Sequence, residues 1–344
     1  MKKYSDKPLS YNELISFENL LKAHMVARLG KRHKEEIIKY ELNLFYNLTK
    51  LHNQLKDKKY KINGYKKFYI YEPKKREIQC LSYKDRIVQH SICDNFLTPY
   101  FRNRLILCNC ACQENKGTYF ARQKLKEFFV NFYKKYKNNG YILKCDIHKY
   151  FASINHDVLK QKLKKIKDKD IFDVLCKIID SYNNKSGVGL PIGNQISQIM
   201  GVAFLDELDR LIKEKLKIKF YVRYMDDLIL LHHDRVYLQY CLKEIKKCLN
   251  NLKLKFNEKT QIIPIKNGVE FLGGRYSYSN SGKVIIKVKK KSRQKFVKNL
   301  KAIKYLKNEN LIDEYYIQTS LAGYKGHFKG FNAFNLSSRI NNIV

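Results

Sequence analysis

Two short apolar runs, Phe220-Tyr221-Val222 and Leu228-Ile229-Leu230-Leu231, flank Tyr224-Met225-Asp226-Asp227. Half-strands of this length joined by a tight turn read as a β-hairpin, here with two acids at its tip. Adjacent carboxylates repel, and one must take up a proton unless a cation neutralises the pair. An Asp-Asp turn on its own is commonly a solvated turn. The strongly apolar flanks instead set these acids at the edge of a buried sheet, where hard oxygen ligands suit Mg²⁺.

A second acid extends the pattern. The strand-like run Tyr141-Ile142-Leu143-Lys144-Cys145 ends in Asp146, followed by Ile147-His148-Lys149-Tyr150-Phe151. If the two strands are neighbours, Asp146 meets Asp226. Two Mg²⁺ ions about 4 Å apart would then serve an in-line phosphoryl transfer. Alone, Asp146 would read as a helix cap or a surface residue; the pair of motifs carries the chemical reading.

Charge points to the partner. The chain has 69 Lys and Arg against 32 Asp and Glu, a net +37, which suits a polyanion and first of all nucleic acid. Its 44% hydrophobic content excludes a disordered basic tail. At 344 residues two or three subdomains are expected. No run approaches the roughly 20 apolar residues of a membrane span. The start, Met1 to Lys7, is charged and has no apolar run behind it, so no secretory signal is expected. The nine cysteines read as reduced, mostly buried thiols of an intracellular protein. Cys108, Cys110 and Cys112 alternate as on one face of a strand and lack the spacing of a zinc site.

The spacing predicts helix over 9–58, with Ser10 and Glu13 as a capping box, and a strand at 68–71. Helices are predicted near 87–96 and over 118–138, 157–182, 197–216 and 235–252, with a Gly-rich turn at 187–193. Strands are predicted near 261–265, 268–277 and 283–289, then a Lys-studded helical tail. Strands and helices without regular alternation indicate an α+β fold.

Asp146-x-x-x-x-Phe151 and Tyr224-Met225-Asp226-Asp227 resemble motifs A and C of reverse transcriptases. Arg76, nine residues before Asp85, resembles the fingers segment of the bacterial enzymes. Asn257-x-Lys259-Thr260 resembles motif D, and Phe271-Leu272-Gly273-Gly274 the primer-grip hairpin. The resemblance implies a right-hand polymerase: a helical N-terminal extension over 1–58, interleaved fingers and palm over 59–280, and a basic thumb over 281–344. It implies RNA-templated DNA synthesis with two Mg²⁺ held by Asp146, Asp226 and Asp227, Mn²⁺ being able to substitute. Arg76 is similar to the arginine that clamps the incoming dNTP, with Lys74 or Lys75 assisting or merely solvated. Phe151 matches the steric gate against a 2′-hydroxyl, although a core phenylalanine is the plainer alternative. Ile147 and Gln198 fall at dNTP-binding positions. Lys259 corresponds to a general acid for the departing pyrophosphate, with a surface role close behind. Gly193, Asn194, Ser197, Tyr224, Met225 and Gly273 fall at template- or primer-contacting positions.

Gly189-Leu190-Pro191-Ile192-Gly193-Asn194-Gln195-Ile196-Ser197-Gln198 resembles motif B. Many bacterial enzymes, group II intron types included, end it in Ser-Pro. Ser197-Gln198 is closer to the diversity-generating retroelement branch, as is Ser320-Leu321-Ala322-Gly323-Tyr324-x-Gly326-His327. That branch implies error-prone copying of a structured template RNA in a bacterial or phage-infected cytoplasm, with a small accessory protein and no membrane. A phage-defence enzyme is the nearest alternative, then a retron or intron-like enzyme, then a non-catalytic RNA-binding scaffold. In 287–307 the spacing of Lys298, Lys301 and Lys304 against Phe296, Leu300 and Ile303 predicts an amphipathic helix gripping the RNA–DNA duplex. The end at Val344 leads to the expectation that target cleavage and RNA removal come from elsewhere. The N-terminal lysines are expected to hold structured RNA outside the cleft.

Overall fold

The computed structural model describes residues 4–71, 75–182, 186–334, 336 and 338. Four helices open the chain: α1 (Tyr11–Ile15), α2 (Phe17–Ala27), α3 (Glu35–Glu41) and α4 (Leu44–Lys56). A ribbon of β1 (Tyr65–Ile70) and β2 (Arg76–Leu81) leads to α5 (Tyr83–Ile92) and α6 (Thr98–Arg102). The long helix α7 (Thr118–Tyr136) precedes β3 (Tyr141–Asp146). Next come α8 (Tyr150–Ser153), α9 (His156–Leu163), α10 (Lys169–Asp180), α11 (Gln195–Phe204) and α12 (Asp206–Arg210). Then follow β4 (Phe220–Tyr224), β5 (Asp227–His232), α13 (Arg235–Asn251) and β6 (Gln261–Pro264). The chain continues through β7 (Val269–Phe271), β8 (Gly274–Tyr278), β9 (Val284–Val288), α14 (Lys290–Asn308) and α15 (Glu314–Phe328).

The chain divides into two compact units, one of residues 1–114, 147–211 and 245–256, the other of 115–146, 212–244 and 257–344. In the first, the single helical run expected over 9–58 is broken into four helices. Glu13 reaches back to Ser10 N at 2.7 Å, as the capping box requires. A second serine, Ser16, then accepts from Asn19 N at 3.3 Å and restarts the chain as α2. The helix expected over 157–182 is likewise two, because Asp168 caps α10. One carboxylate oxygen of Asp168 accepts from Asp170 N and Ile171 N at 3.1 Å each. The other accepts from Tyr11 N at 2.9 Å and ties α1 to α10. Beyond that cap Ile171, Val174, Leu175, Ile178 and Ile179 are buried along one face of α10. Burial of each such side chain along the apolar face stabilises the fold by roughly 1.5–3 kcal/mol.

Within the second unit β4-β5-β3-β6 form an antiparallel sheet and β7-β8-β9 another. β5 lies between β4 and β3, and since successive side chains point to opposite faces, its unbroken run of buried Leu228, Ile229, Leu230 and Leu231 means that both faces of the sheet are covered there. The strand expected over 268–277 is instead a hairpin. Leu272 and Gly273 both take positive φ, 44° and 84°, and turn β7 into β8. Cys108 lies in a turn, Cys110 in irregular chain and Cys112 at a bend rather than on a strand, with Cys112 exposed and at φ 48°. Among the described residues no helix is long and apolar enough to cross a membrane.

Asp168→Ala removes three accepted hydrogen bonds and should cost about 1–2 kcal/mol in urea unfolding, whereas Asp168→Asn should cost less because its side-chain oxygen still caps. Equal losses for the two would show that the cap is not what holds this junction.

Candidate active site

Strand pairing assembles the acids. Asp146, last residue of β3, is the antiparallel partner of Asp227, first residue of β5. Tyr224 pairs with the same Asp227 across the β4–β5 hairpin, leaving Met225 and Asp226 as a two-residue turn. Met225 takes φ 55°, a conformation costly for a non-glycine residue. The segment expected as motif D straps the back of Asp146. Asn257 N donates to Asp146 O at 2.7 Å, and the Thr260 hydroxyl accepts from Asp146 N at 3.2 Å. Lys259 is exposed on this strap, its backbone N donating to Asn257 Oδ1 at 3.1 Å.

The electrostatics follow from that crowding. Burial pushes the Asp227 carboxyl up to about 6; Lys144 pulls it down, Asp226 and Asp146 push it up, and Lys289 pulls it down. Both lysines are anchored at Glu270: Lys144 Nζ donates to its carbonyl at 2.9 Å, and Lys289 pairs with its carboxylate at 3.1 Å. Lys144 was legible as the residue two before Asp146, on the same face of a strand; its role follows only from the fold. Among the described residues no three Asp, Glu, His or Cys side chains converge tightly enough to cage a metal by themselves. Mg²⁺ at phosphoryl-transfer sites takes one or two carboxylates and completes its shell with water and substrate phosphates. The all-oxygen set Asp146, Asp226 and Asp227 would suit such an incomplete shell, and a divalent cation there would favour the charged form of Asp227 that burial disfavours.

The first unit holds the other expected residues. Arg76 is exposed at the start of β2, paired with Ile70, and Lys74 lies outside the described residues. Lys75 Nζ sits 4.8 Å from the Tyr69 ring centre. Phe151, on α8, is half-buried against Gly201 of α11, where an added Cβ would come within 3.0 Å of Phe151 Cε1. Backbone bonds bind the glycine-rich loop to the same segment: Leu190 N to Phe151 O and Gly189 N to Ile154 O, both 2.7 Å. On its other side Gln79 N donates to Ile192 O at 3.1 Å, and Asn194 Nδ2 to Gln79 O at 3.2 Å. Gly193, exposed and at φ 119°, passes so close to β2 that a Cβ would meet Ile78 Cγ2 at 2.8 Å. Asn194 and Ser197, expected at template-contacting positions, are only 3% and 2% exposed. Their side chains therefore face the interior of the unit. Ile147 is buried as well, bridged to Phe256. Gln198 is exposed, with Cys112 Sγ 3.6 Å from its Oε1.

In the second unit the turn at Gly273 is held by Lys289 N donating to Gly273 O at 3.1 Å. Phe296, Leu300 and Ile303 bury one face of α14 against Ile317, Leu321 and Phe328, while Lys298 and Lys301 stay exposed. Those lysines line an open groove of about 1500 Å³ with Lys287, Lys290 and Arg293.

The strand register thus brings Asp146 opposite Asp227, with Asp226 on the adjoining turn. Residues 47–276 match the family described as reverse transcriptase (RNA-dependent DNA polymerase), and the chain belongs to that family. The α+β frame is accordingly that of a right-hand polymerase. A stretch of 96 residues is 34% identical to the "Putative COX1/OXI3 intron 2 protein" of Saccharomyces cerevisiae, covering 26% of this chain and 11% of that protein. Among solved structures, apo telomerase from Candida tropicalis is similar at 16% identity and TM-score 0.48, over 66% of this chain and 48% of that one.

The Asp227 carboxyl is raised in the folded protein, so the stability its protonated form contributes is full below the ordinary carboxylate range and lost as pH rises through about 6. Without divalent cation, the melting temperature should therefore fall between pH 5 and 7.5 more for the wild type than for Asp227→Asn. Parallel pH profiles would show that this carboxylate is not the strained one.

Proposed function

We propose that the chain copies an RNA template into DNA. The observation that carries the reading is the strand register opposing Asp146 to Asp227 with Asp226 on the adjoining turn. Asp146, Asp226 and Asp227 would hold two Mg²⁺ ions, which when bound supply Lewis-acid activation of the primer 3′-hydroxyl and neutralisation of the triphosphate. The chain's own residues do the rest. The Arg76 guanidinium is suited to the triphosphate of an incoming dNTP. Phe151, fixed by Gly201 and by the 189–190 backbone, would exclude a 2′-hydroxyl. Lys259, exposed on the strap behind Asp146, would give its ammonium proton to the departing pyrophosphate. Lys298 and Lys301 would take the phosphate backbone of an RNA–DNA duplex, so binding should weaken steeply with salt. Replacing Asp226 and Asp227 together by Ala should abolish dNTP incorporation in primer extension while leaving RNA affinity within about twofold. Persistent synthesis in that variant would exclude the reading.

The biological setting we infer is a diversity-generating retroelement in a bacterial or phage-infected cytoplasm, with a structured template RNA and a small accessory protein. Gln198, exposed where many bacterial enzymes carry proline, supports it. An intron-encoded enzyme is the second reading, favoured by the likeness to the yeast intron 2 protein. Sequencing the RNA and cDNA that co-purify with the chain separates them. Substitutions clustered at template adenines are expected for the first, and faithful cDNA of an intron RNA for the second.

A further inference from the structure

Arg223 is the penultimate residue of β4 and, among the described residues, one of the bulkiest fully buried side chains, with 0% exposure. A guanidinium keeps its charge in a protein and must be matched by acceptors where it is buried. One of its donors is spent on the active-site turn itself: Nη1 donates to Met225 O at 3.0 Å. That carbonyl belongs to the peptide linking Met225 to Asp226. Met225 holds φ 55° without the steric freedom of glycine, so the turn needs an external tether to stay in this conformation. The partners of Arg223 and Tyr224 across the hairpin are Leu228 and Asp227. One residue thus lies beside the ladder that fixes Asp227 and also grips the peptide that fixes Asp226.

We propose that Arg223 is a positioning residue for the reaction: by holding the Met225–Asp226 peptide it presents the Asp226 carboxylate, in line with Asp146 and Asp227, to a divalent cation. This rests on the reading of those three aspartates as the metal-holding set. A fork of donors at a fixed angle suits a backbone carbonyl inside a hairpin, and a lysine ammonium on its flexible stem does not reproduce it. Groups that orient metal ligands typically change metal affinity roughly 10- to 100-fold when replaced.

The test uses the full chain and Tb³⁺ as the probe ion. With 26 tyrosines and no tryptophan, Tb³⁺ luminescence is sensitised by tyrosine, and Tyr224 adjoins the turn. Arg223→Lys and Arg223→Met are each compared with wild type for Tb³⁺ affinity, for the Mg²⁺ concentration at half-maximal primer extension, for melting temperature and for RNA–DNA duplex binding. Expected are Tb³⁺ affinity and Mg²⁺ requirement both worsened about tenfold or more, duplex affinity within about twofold, and hydrogen exchange accelerated in the 222–228 peptide. A folded variant with wild-type Tb³⁺ affinity and Mg²⁺ requirement overturns the proposal. So does failure of both variants to fold, which would make Arg223 a core residue alone. Asp226→Asn serves as the control: should it keep wild-type Tb³⁺ binding, the metal-site reading fails rather than the role of Arg223.

Discussion

The pairing of β3 with β5 is the constraint on which the chemistry depends. Its register opposes Asp146 to Asp227, and a one-residue slip would exchange the faces on which Leu228, Ile229, Leu230 and Leu231 pack and take Asp227 out of opposition to Asp146. The four buried residues that follow Asp227 therefore help to fix the place of the acid in the ladder. Hydrophobic burial, which has no direction of its own, becomes directional through the ladder. Burial in that sheet raises the Asp227 carboxyl first, and the neighbouring Asp226 and Asp146 add to the rise.

The surroundings temper the rise without abolishing it. Lys144 and Lys289 lower the Asp227 carboxyl, yet both are also tied to Glu270. Cations occupied in this way moderate the field at Asp227. Asn257 and Thr260 secure the backbone of Asp146 rather than its side chain, so the carboxylate is positioned with its lone pairs uncommitted by that strap. Backbone anchoring with side chains left over is the arrangement a metal-ligating set requires.

The acids themselves were readable in the sequence because they interrupt buried strands, where a charge has few bland explanations. The amphipathic face of α14 was readable for the same periodic reason. What escaped was set by single residues acting at a distance. Asp168 begins α10 by capping it and reaches Tyr11, a contact that helical spacing does not encode. Leu272 adopts positive φ beside Gly273 and splits an expected strand into a hairpin, where β-propensity alone argues for continuity. Asn194 and Ser197 match a motif whose family role is contact with nucleic acid, but local packing has turned both inward. Arg223 was passed over because an arginine in a strand reads as surface until its burial is known.

The contact between Phe151 and Gly201 reaches beyond this molecule. With Phe151 carbons 3.0 and 3.3 Å from where a Cβ at 201 would stand, and Tyr150 at 3.5 Å, neither position can drift alone. A lineage that enlarged residue 201 would have to accept a smaller or displaced ring at 151. Should that ring discriminate between sugars, the choice of nucleotide also depends on a glycine 50 residues away in the sequence. Among descendants of this chain the two sites should change together or not at all.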